Sequence, residues 1–220
     1  MLFVLAIPAV AHISATSPGF AGTTQEIVLG VGHGCEAFDT TSIKTTLPAG
    51  LSGVRVLNSE FGRATVETNA TGQPTAVTWT KDDADINPGD THYYKLGIRA
   101  RLPNAPFTTL YFPTVQTCKL PDGGTLTSLW TNTSGVPPDA GEPEEAPATR
   151  LLPARRAGWN KYTVPVAIEN LLVFFSDAQI VWRGNQAFSP NPAITELISG
   201  TAGVNALTSL QANDEIWVKY

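Results

Sequence analysis

The strongest constraint on this chain is a rhythm. From residue 23 to residue 132, short alternating apolar and polar runs are broken by turn residues at nearly regular intervals. "TTQEIVLGV" (23–31), "TSIKTTLP" (41–48) and "SGVRVLN" (52–58) read as strands, because a side-chain period of two puts every second residue on one face. "RATVETN" (63–69) and "TAVTWTK" (75–81) flank the turn-rich "ATGQP", which predicts a hairpin. "HYYKLGIRARL" (92–102), "FTTLYFPTVQTC" (107–118) and "LTSLWTN" (126–132) continue the pattern, the last two joined by "KLPDGG". About eight strands at this spacing predict an all-β fold, a sandwich of two sheets. With 42% hydrophobic and 15% charged residues, the chain has the material for a buried core.

The pattern changes at residue 133. "TSGVPPDAGEPEEAPAT" (133–149) is rich in Pro, Gly, Glu and Ala and reads as a solvated linker or loop. Residues 150–220 form a C-terminal extension, expected to pack on the sandwich. In it "ENLLVFFSDAQIVWRG" (169–184) reads as one or two buried strands and "DEIWVKY" (214–220) as a closing strand. "SPNPAITELISG" (189–200) is the one clear helix: Asn191 can cap it, Pro192 suits its first position and Gly200 can end it. The net charge of −5, with no basic patch, argues against nucleic acid as a partner. No stretch reads as transmembrane.

Residues 1–11, "MLFVLAIPAVA", are an apolar run ending in Ala-x-Ala, the form of a secretory signal and its cleavage site. No Lys or Arg precedes the run, so it is expected to be the remnant of a longer signal whose true start lies upstream. Export places the chain in the periplasm or at the cell surface. In that oxidising setting the two cysteines, Cys35 and Cys118, are expected to form a disulfide rather than a pair of buried thiols.

Cleavage after Ala11 would make His12 the first residue. It would then offer an α-amine and an imidazole nitrogen together, a chelate that suits tetragonal Cu(II). The plainer alternative is an exposed N-terminal histidine. In "VGHGCEAFDT", His33 and Glu36 flank Cys35, so either could add a metal ligand, or His33 could merely pack the loop. His92, in "GDTHYYKL", reads as structural. The only methionine is Met1, so thioether ligation of Cu(I) is not expected. No GxSxG, HExxH, phosphate-binding loop or GxGxxG occurs, which argues against the common hydrolase, zincin and nucleotide-binding chemistries.

Taken in order, His12, "VGHGCEAFDTTSIKTTLPAG", "TAVTWTK", "FTTLYFPTVQTC" and "LTSLWTN" resemble the YcnI-like copper-binding family of exported bacterial proteins, over residues 12–132. The resemblance implies an Ig- or fibronectin-like β-sandwich. It also implies a Cu(II) site built from the N-terminal amine and imidazole, a carboxylate and a nearby tryptophan. The histidine carries over to His12 and the tryptophan to Trp130. The carboxylate does not carry over: where many relatives have Pro-Glu-Gly, this chain has Pro48-Ala49-Gly50. Glu36 is the first substitute, with Glu26 and Glu60 behind it. The expected function is therefore an exported Cu(II)-binding protein of copper homeostasis or trafficking. Its partners would be the copper ion and a membrane copper transporter or chaperone. The alternatives are a copper oxidase or oxygenase and a metal-free interaction sandwich. Against the oxidase, the sequence shows no obvious platform of surface aromatics.

Overall fold

The computed structural model describes residues 12–36, 38–87 and 90–220; the signal-like segment 1–11 lies outside them. The first strands are β1 (Ile13–Ala15), β2 (Gly19–Phe20), β3 (Thr24–Val31), β4 (Thr40–Thr46), β5 (Ser52–Val56), β6 (Arg63–Thr68) and β7 (Pro74–Thr80). After a 3-10 turn come β8 (Tyr94–Arg101), β9 (Thr109–Tyr111), β10 (Thr114–Lys119), β11 (Thr125–Asn132), β12 (Glu144–Glu145), β13 (Ala148–Leu152) and β14 (Trp159–Thr163). The chain ends with α1 (Leu172–Phe175), β15 (Ile180–Arg183), β16 (Gln186–Phe188), α2 (Pro192–Gly200), β17 (Asn205–Ala206) and β18 (Glu215–Lys219).

These residues group into two compact units. One holds the chain up to Thr16 together with 24–101 and 111–149; the other holds 17–23, 102–110 and 150–220.

The first unit is a sandwich. A four-stranded sheet has the order β1-β3-β8-β5, and a six-stranded sheet has the order β12-β11-β10-β4-β7-β6. Ile27, Leu29 and Leu96 from one sheet and Thr45, Trp79 and Phe112 from the other side line a common internal void of about 10 Å³, so the two sheets share one tightly filled core. Each fully buried aliphatic or aromatic side chain there is worth about 1.5–3 kcal/mol over its exposed state. The β6–β7 hairpin forms where the turn signal predicts it. Asn69 Oδ1 accepts from the N–H groups of Thr71 and Gln73, both at 3.0 Å, an Asx turn that satisfies the reversing backbone. The run 107–118 is two strands, β9 and β10. They break at Pro113, which has no N–H to donate to a ladder. Within 133–149, β12 pairs in parallel with β11.

The second unit carries a five-stranded sheet of order β14-β18-β15-β16-β17. Its core gathers Phe107, Val164, Phe175, Val181, Leu210, Ile216 and Val218. The expectation of strands throughout 169–184 is corrected here, because its first half is the helical turn α1. Buried Leu171, Phe174, Phe175 and Ala178 are spaced i, i+3, i+4, i+7, a helical period hidden by the unbroken apolar run "LLVFF". Helix α2 starts as expected. Asn191 Oδ1 accepts from Ala193 N–H at 3.0 Å and Pro192 opens the first turn. Gly200 is its last residue.

The same sheet carries the platform of surface aromatics that the sequence did not reveal. In β18 the side chains of Ile216 and Val218 enter the core, so Trp217 points to the opposite face. Trp182 is its register partner on β15, and Trp159 on β14 pairs with Lys219. Three of the chain's five tryptophans therefore share the outer face of one sheet. Nothing local in the sequence announces this, because the pairing joins residues far apart along the chain.

Candidate functional site

The site begins at β10, "TVQTCK", whose inward residues are Thr114, Gln116 and Cys118. Gln116 is a buried amide with its bonding groups engaged. Its Nε2 donates to His33 O and to Thr40 Oγ1, both at 2.8 Å, and its Oε1 accepts from Trp130 Nε1 at 3.0 Å. A buried amide satisfied at both ends fixes its neighbours, since breaking any one bond leaves a desolvated polar group. Trp130, on the adjacent strand β11, is thus held by its indole N–H and is only 4% exposed. The exposed His12 ring lies against it, with ring centroids 5.9 Å apart and planes inclined at 52°.

β1 pairs with β3 through Ile13↔Val31, so His12 leads into the stretch Gly32-His33. His33 Nδ1–H donates to Gly34 O at 2.7 Å. Gly34 is tightly enclosed: a Cβ there would stand 1.6 Å from Phe38 O, so only glycine fits between His33 and Cys35. Its N–H donates to both carboxylate oxygens of Asp90, at 2.8 and 2.7 Å. Cys35 and Cys118 form the expected disulfide, with Cα atoms 5.8 Å apart, and anchor the loop to β10.

The structure therefore ties the His33 carbonyl and the Trp130 indole to Gln116 and sets the His12 ring against Trp130. The acidic candidates separate. Glu36 is exposed, in a left-handed conformation (φ 49°) just beyond the disulfide. Glu26 pairs with Arg99 near the far end of β3, five positions from Val31, or roughly 17 Å at the strand rise. Glu60 lines a separate cleft of about 480 Å³ with Phe61, Lys81, His92 and Tyr94. His92 bonds Asn87: Asn87 Nδ2 donates to His92 Nδ1 at 2.6 Å.

Two participants escaped sequence reasoning. Gln116 was legible as a polar residue at an inward position of an alternating strand. Glu144 reads as part of a solvated linker, yet β12 pairs it in register with Trp130. The pairing is parallel and irregular, its register shifting between Trp130 and Asn132, and it brings the Glu144 backbone alongside that of Trp130. Among the described residues no three His, Cys, Asp or Glu side chains converge as a metal site of their own.

The same unit holds a buried ionic cluster. Lys81 Nζ donates to Asp39 Oδ2 and to Tyr94 Oη, each at 2.6 Å, and Tyr94 donates to Asp39 Oδ1 at 2.7 Å. The amide of Asn87 adds a fourth bond, to Asp39 Oδ2 at 2.6 Å. Burial alone would raise the Asp39 pKa. The bonds from Lys81, Asn87 and Tyr94, with the charge of Lys81, outweigh it and hold the carboxyl below its ordinary range. Burial, followed by the bond and charge of Asp39, pushes the Tyr94 hydroxyl upward.

Two facing sheets and short antiparallel strands define the first unit as a β-sandwich of the immunoglobulin-like class. Residues 12–152 match the family described as "Domain of unknown function (DUF1775)", and the chain belongs to this family, the domain of the YcnI-like proteins. An uncharacterized protein from Nocardia farcinica with an immunoglobulin-like fold is similar at 25% identity and a TM-score of 0.51, over 64% of this chain and 98% of that one. A non-cellulosomal cohesin from Archaeoglobus fulgidus (13% identity, TM-score 0.39) is similar over 64% of this chain and 91% of its own. The Actinomyces fimbrial adhesin FimA (12% identity, TM-score 0.34) is similar over 95% of this chain and 77% of its own. No match is found among curated proteins. Among the described residues no helix is long and apolar enough to cross a membrane.

Proposed function

We propose that this chain is an exported Cu(II)-binding protein of copper homeostasis or trafficking, and that it grips the ion through His12 once processing makes that residue the first. The observation that carries the reading is the exposed His12 imidazole against the Trp130 indole, itself locked by Gln116. A disulfide in the same loop system suits an oxidising compartment.

The donor set fits the ion. An α-amine loses its proton near neutral pH when a metal competes for it, since its ordinary pKa is about 8. Amine and imidazole then form a chelate of two nitrogens, and a carboxylate offsets part of the charge. Copper(II) stands at the top of the divalent affinity order and favours such tetragonal nitrogen and oxygen sets. The register of β12 favours Glu144 as the carboxylate over Glu36. An exposed histidine leaves the coordination open on one side, as transfer to a transporter or chaperone requires. The chemistry is capture and release, with no catalytic step.

The test is a Cu(II) titration followed by paramagnetic resonance on protein that begins at His12. One ion per chain with a nitrogen-rich signal is expected. One extra alanine ahead of His12 should abolish that signal, and Glu144→Gln should weaken binding by at least about tenfold while Glu36→Gln leaves it unchanged. Equal binding with the extra alanine would end the proposal, as would exported protein whose mass shows a different first residue. Trp130→Phe keeps a ring but loses the bond to Gln116. It is expected to shift the copper spectrum or reduction potential, and an unchanged pair of values would remove Trp130 from the site.

A further inference from the structure

The outer face of the five-stranded sheet carries three indoles in one patch. Trp217 and Trp182 are direct cross-strand partners, and Trp159 lies two residues further along on the other side of β18. Trp159 is 51% exposed and Trp217 49%, while Trp182 is half-buried. At the ordinary strand spacing the three cover about 10 Å across and 7 Å along the sheet. Single exposed apolar residues need no explanation, but three of the largest side chains collected on one sheet face mark a binding surface.

What lies between the indoles decides the partner. Lys161 pairs in register with Trp217, and Lys219 with Trp159. Glu215 is the acid of this face and bonds Lys161 Nζ at 2.8 Å, with both side chains about half exposed. The face thus carries two lysines and one glutamate, a net positive patch on a chain of net charge −5. The core of a protein–protein interface is depleted in Lys and Glu, and burying this ion pair under a protein would strip it of water. A sugar chain makes the opposite demand. The C–H face of a pyranose ring packs on the electron-rich face of an indole, its hydroxyls stay wet among the polar side chains, and a carboxylate on the ring meets the lysines.

We infer that the Trp159–Trp182–Trp217 face binds a carboxylate-bearing polysaccharide, with the indoles stacking on sugar rings and Lys161 and Lys219 meeting the acid groups. This surface is built wholly within the second unit, and its test does not depend on copper.

The experiment is native electrophoresis of the full chain through gels containing polygalacturonate, with parallel gels containing uncharged dextran. Polygalacturonate is expected to retard the protein and dextran to leave it unretarded. Trp159→Ala/Trp217→Ala should weaken the apparent affinity by at least about tenfold, since truncated tryptophan anchors carry losses of that size. Both residues are half-exposed, so circular dichroism and the thermal midpoint should stay unchanged in the variant. Lys161→Gln/Lys219→Gln should remove the difference between the two gels. Absence of retardation by polygalacturonate would overturn the inference, as would equal retardation by dextran or retardation that survives loss of the tryptophans. A concentration-dependent dimer in sedimentation that disappears with Trp217→Ala would overturn it in favour of a second copy. Flotation with anionic phospholipid vesicles, lost in the same variant, would overturn it in favour of a membrane surface.

Discussion

Asp39→Asn is expected to destabilise the fold by about 3–5 kcal/mol at neutral pH, the usual result of leaving one member of a buried ion pair without its counter-charge. The side chains of Lys81 and Asp39 are 3% and 0% exposed, so water cannot replace the lost partner. An asparagine oxygen can still accept from Lys81 Nζ and the Asn87 N–H, both of which donate to Asp39 Oδ2, but its NH2 group then faces the Tyr94 hydroxyl, which donates to Asp39 Oδ1. The phenyl ring of Phe61, 5.1 Å from Lys81 Nζ, and the Tyr94 ring at 4.1 Å offer some compensation through their π faces, too little to stand in for a carboxylate. Urea denaturation followed by tryptophan fluorescence measures the loss. Lys81→Met should cost a similar amount, and Asp39→Asn/Lys81→Met should recover more than half of the summed cost, because the two charges then leave together. A loss below about 1 kcal/mol, or strict additivity, would show the two groups to be uncoupled. The pH dependence has a definite sign. A carboxyl whose folded pKa lies below its unfolded value contributes stability that is complete above about pH 4 and fades as the pH falls through the folded value. Wild-type stability should therefore drop on acidification below about pH 4, and the Asp39→Asn and wild-type curves should converge in acid.

That cluster also shows where sequence reading runs out. The sandwich was legible because strand period and turn chemistry are local: "TAVTWTK" alternates, and Asn69 forms the turn before it. Helix α2 was legible for the same reason, through Asn191 and Pro192. Asp39 and Lys81, by contrast, stand 42 positions apart in unremarkable contexts, and only the pairing of β4 with β7 brings them together. Of the candidate site, His12 could be named from the cleavage pattern, and Trp130 from the resemblance. Gln116 was legible only as a polar residue at an inward strand position; that it holds the His33 carbonyl and the Trp130 indole follows from pairings distant in the chain. Glu144 was hidden by its company. A stretch of Pro, Gly and Glu has no periodicity to reveal a two-residue strand, yet that strand pairs Glu144 with Trp130.

Removal of the disulfide is the other large effect expected. Cys35→Ala/Cys118→Ala opens a loop of 83 residues, and the chain-entropy relation assigns such a closure about 4–5 kcal/mol. For a chain of this size that corresponds to a fall of roughly 10–15 °C in the thermal midpoint. The antiparallel ladder of β10 with β4 resists part of the opening, yet it ends in a bulge between Thr117 and Cys118, so the last ladder contact before the loop is the weakest. Alanine is the right replacement for measuring the bond itself. Both cysteines are buried, and serines would add unpaired hydroxyls at a further cost of about 1–3 kcal/mol each. The difference between the serine and alanine variants therefore reports desolvation, and the alanine loss reports the crosslink. Cys35 stands two positions from His33, whose carbonyl accepts from Gln116, and Gln116 in turn holds the Trp130 indole. Loosening Cys35 should thus reach the tryptophan before the sandwich unfolds. The Trp130 contribution to fluorescence should change at temperatures where far-ultraviolet dichroism is still native. A stability loss under about 1 kcal/mol would mean that the sheet alone holds residues 35–118 in place, and simultaneous fluorescence and dichroism transitions would mean that the disulfide does not govern the tryptophan site.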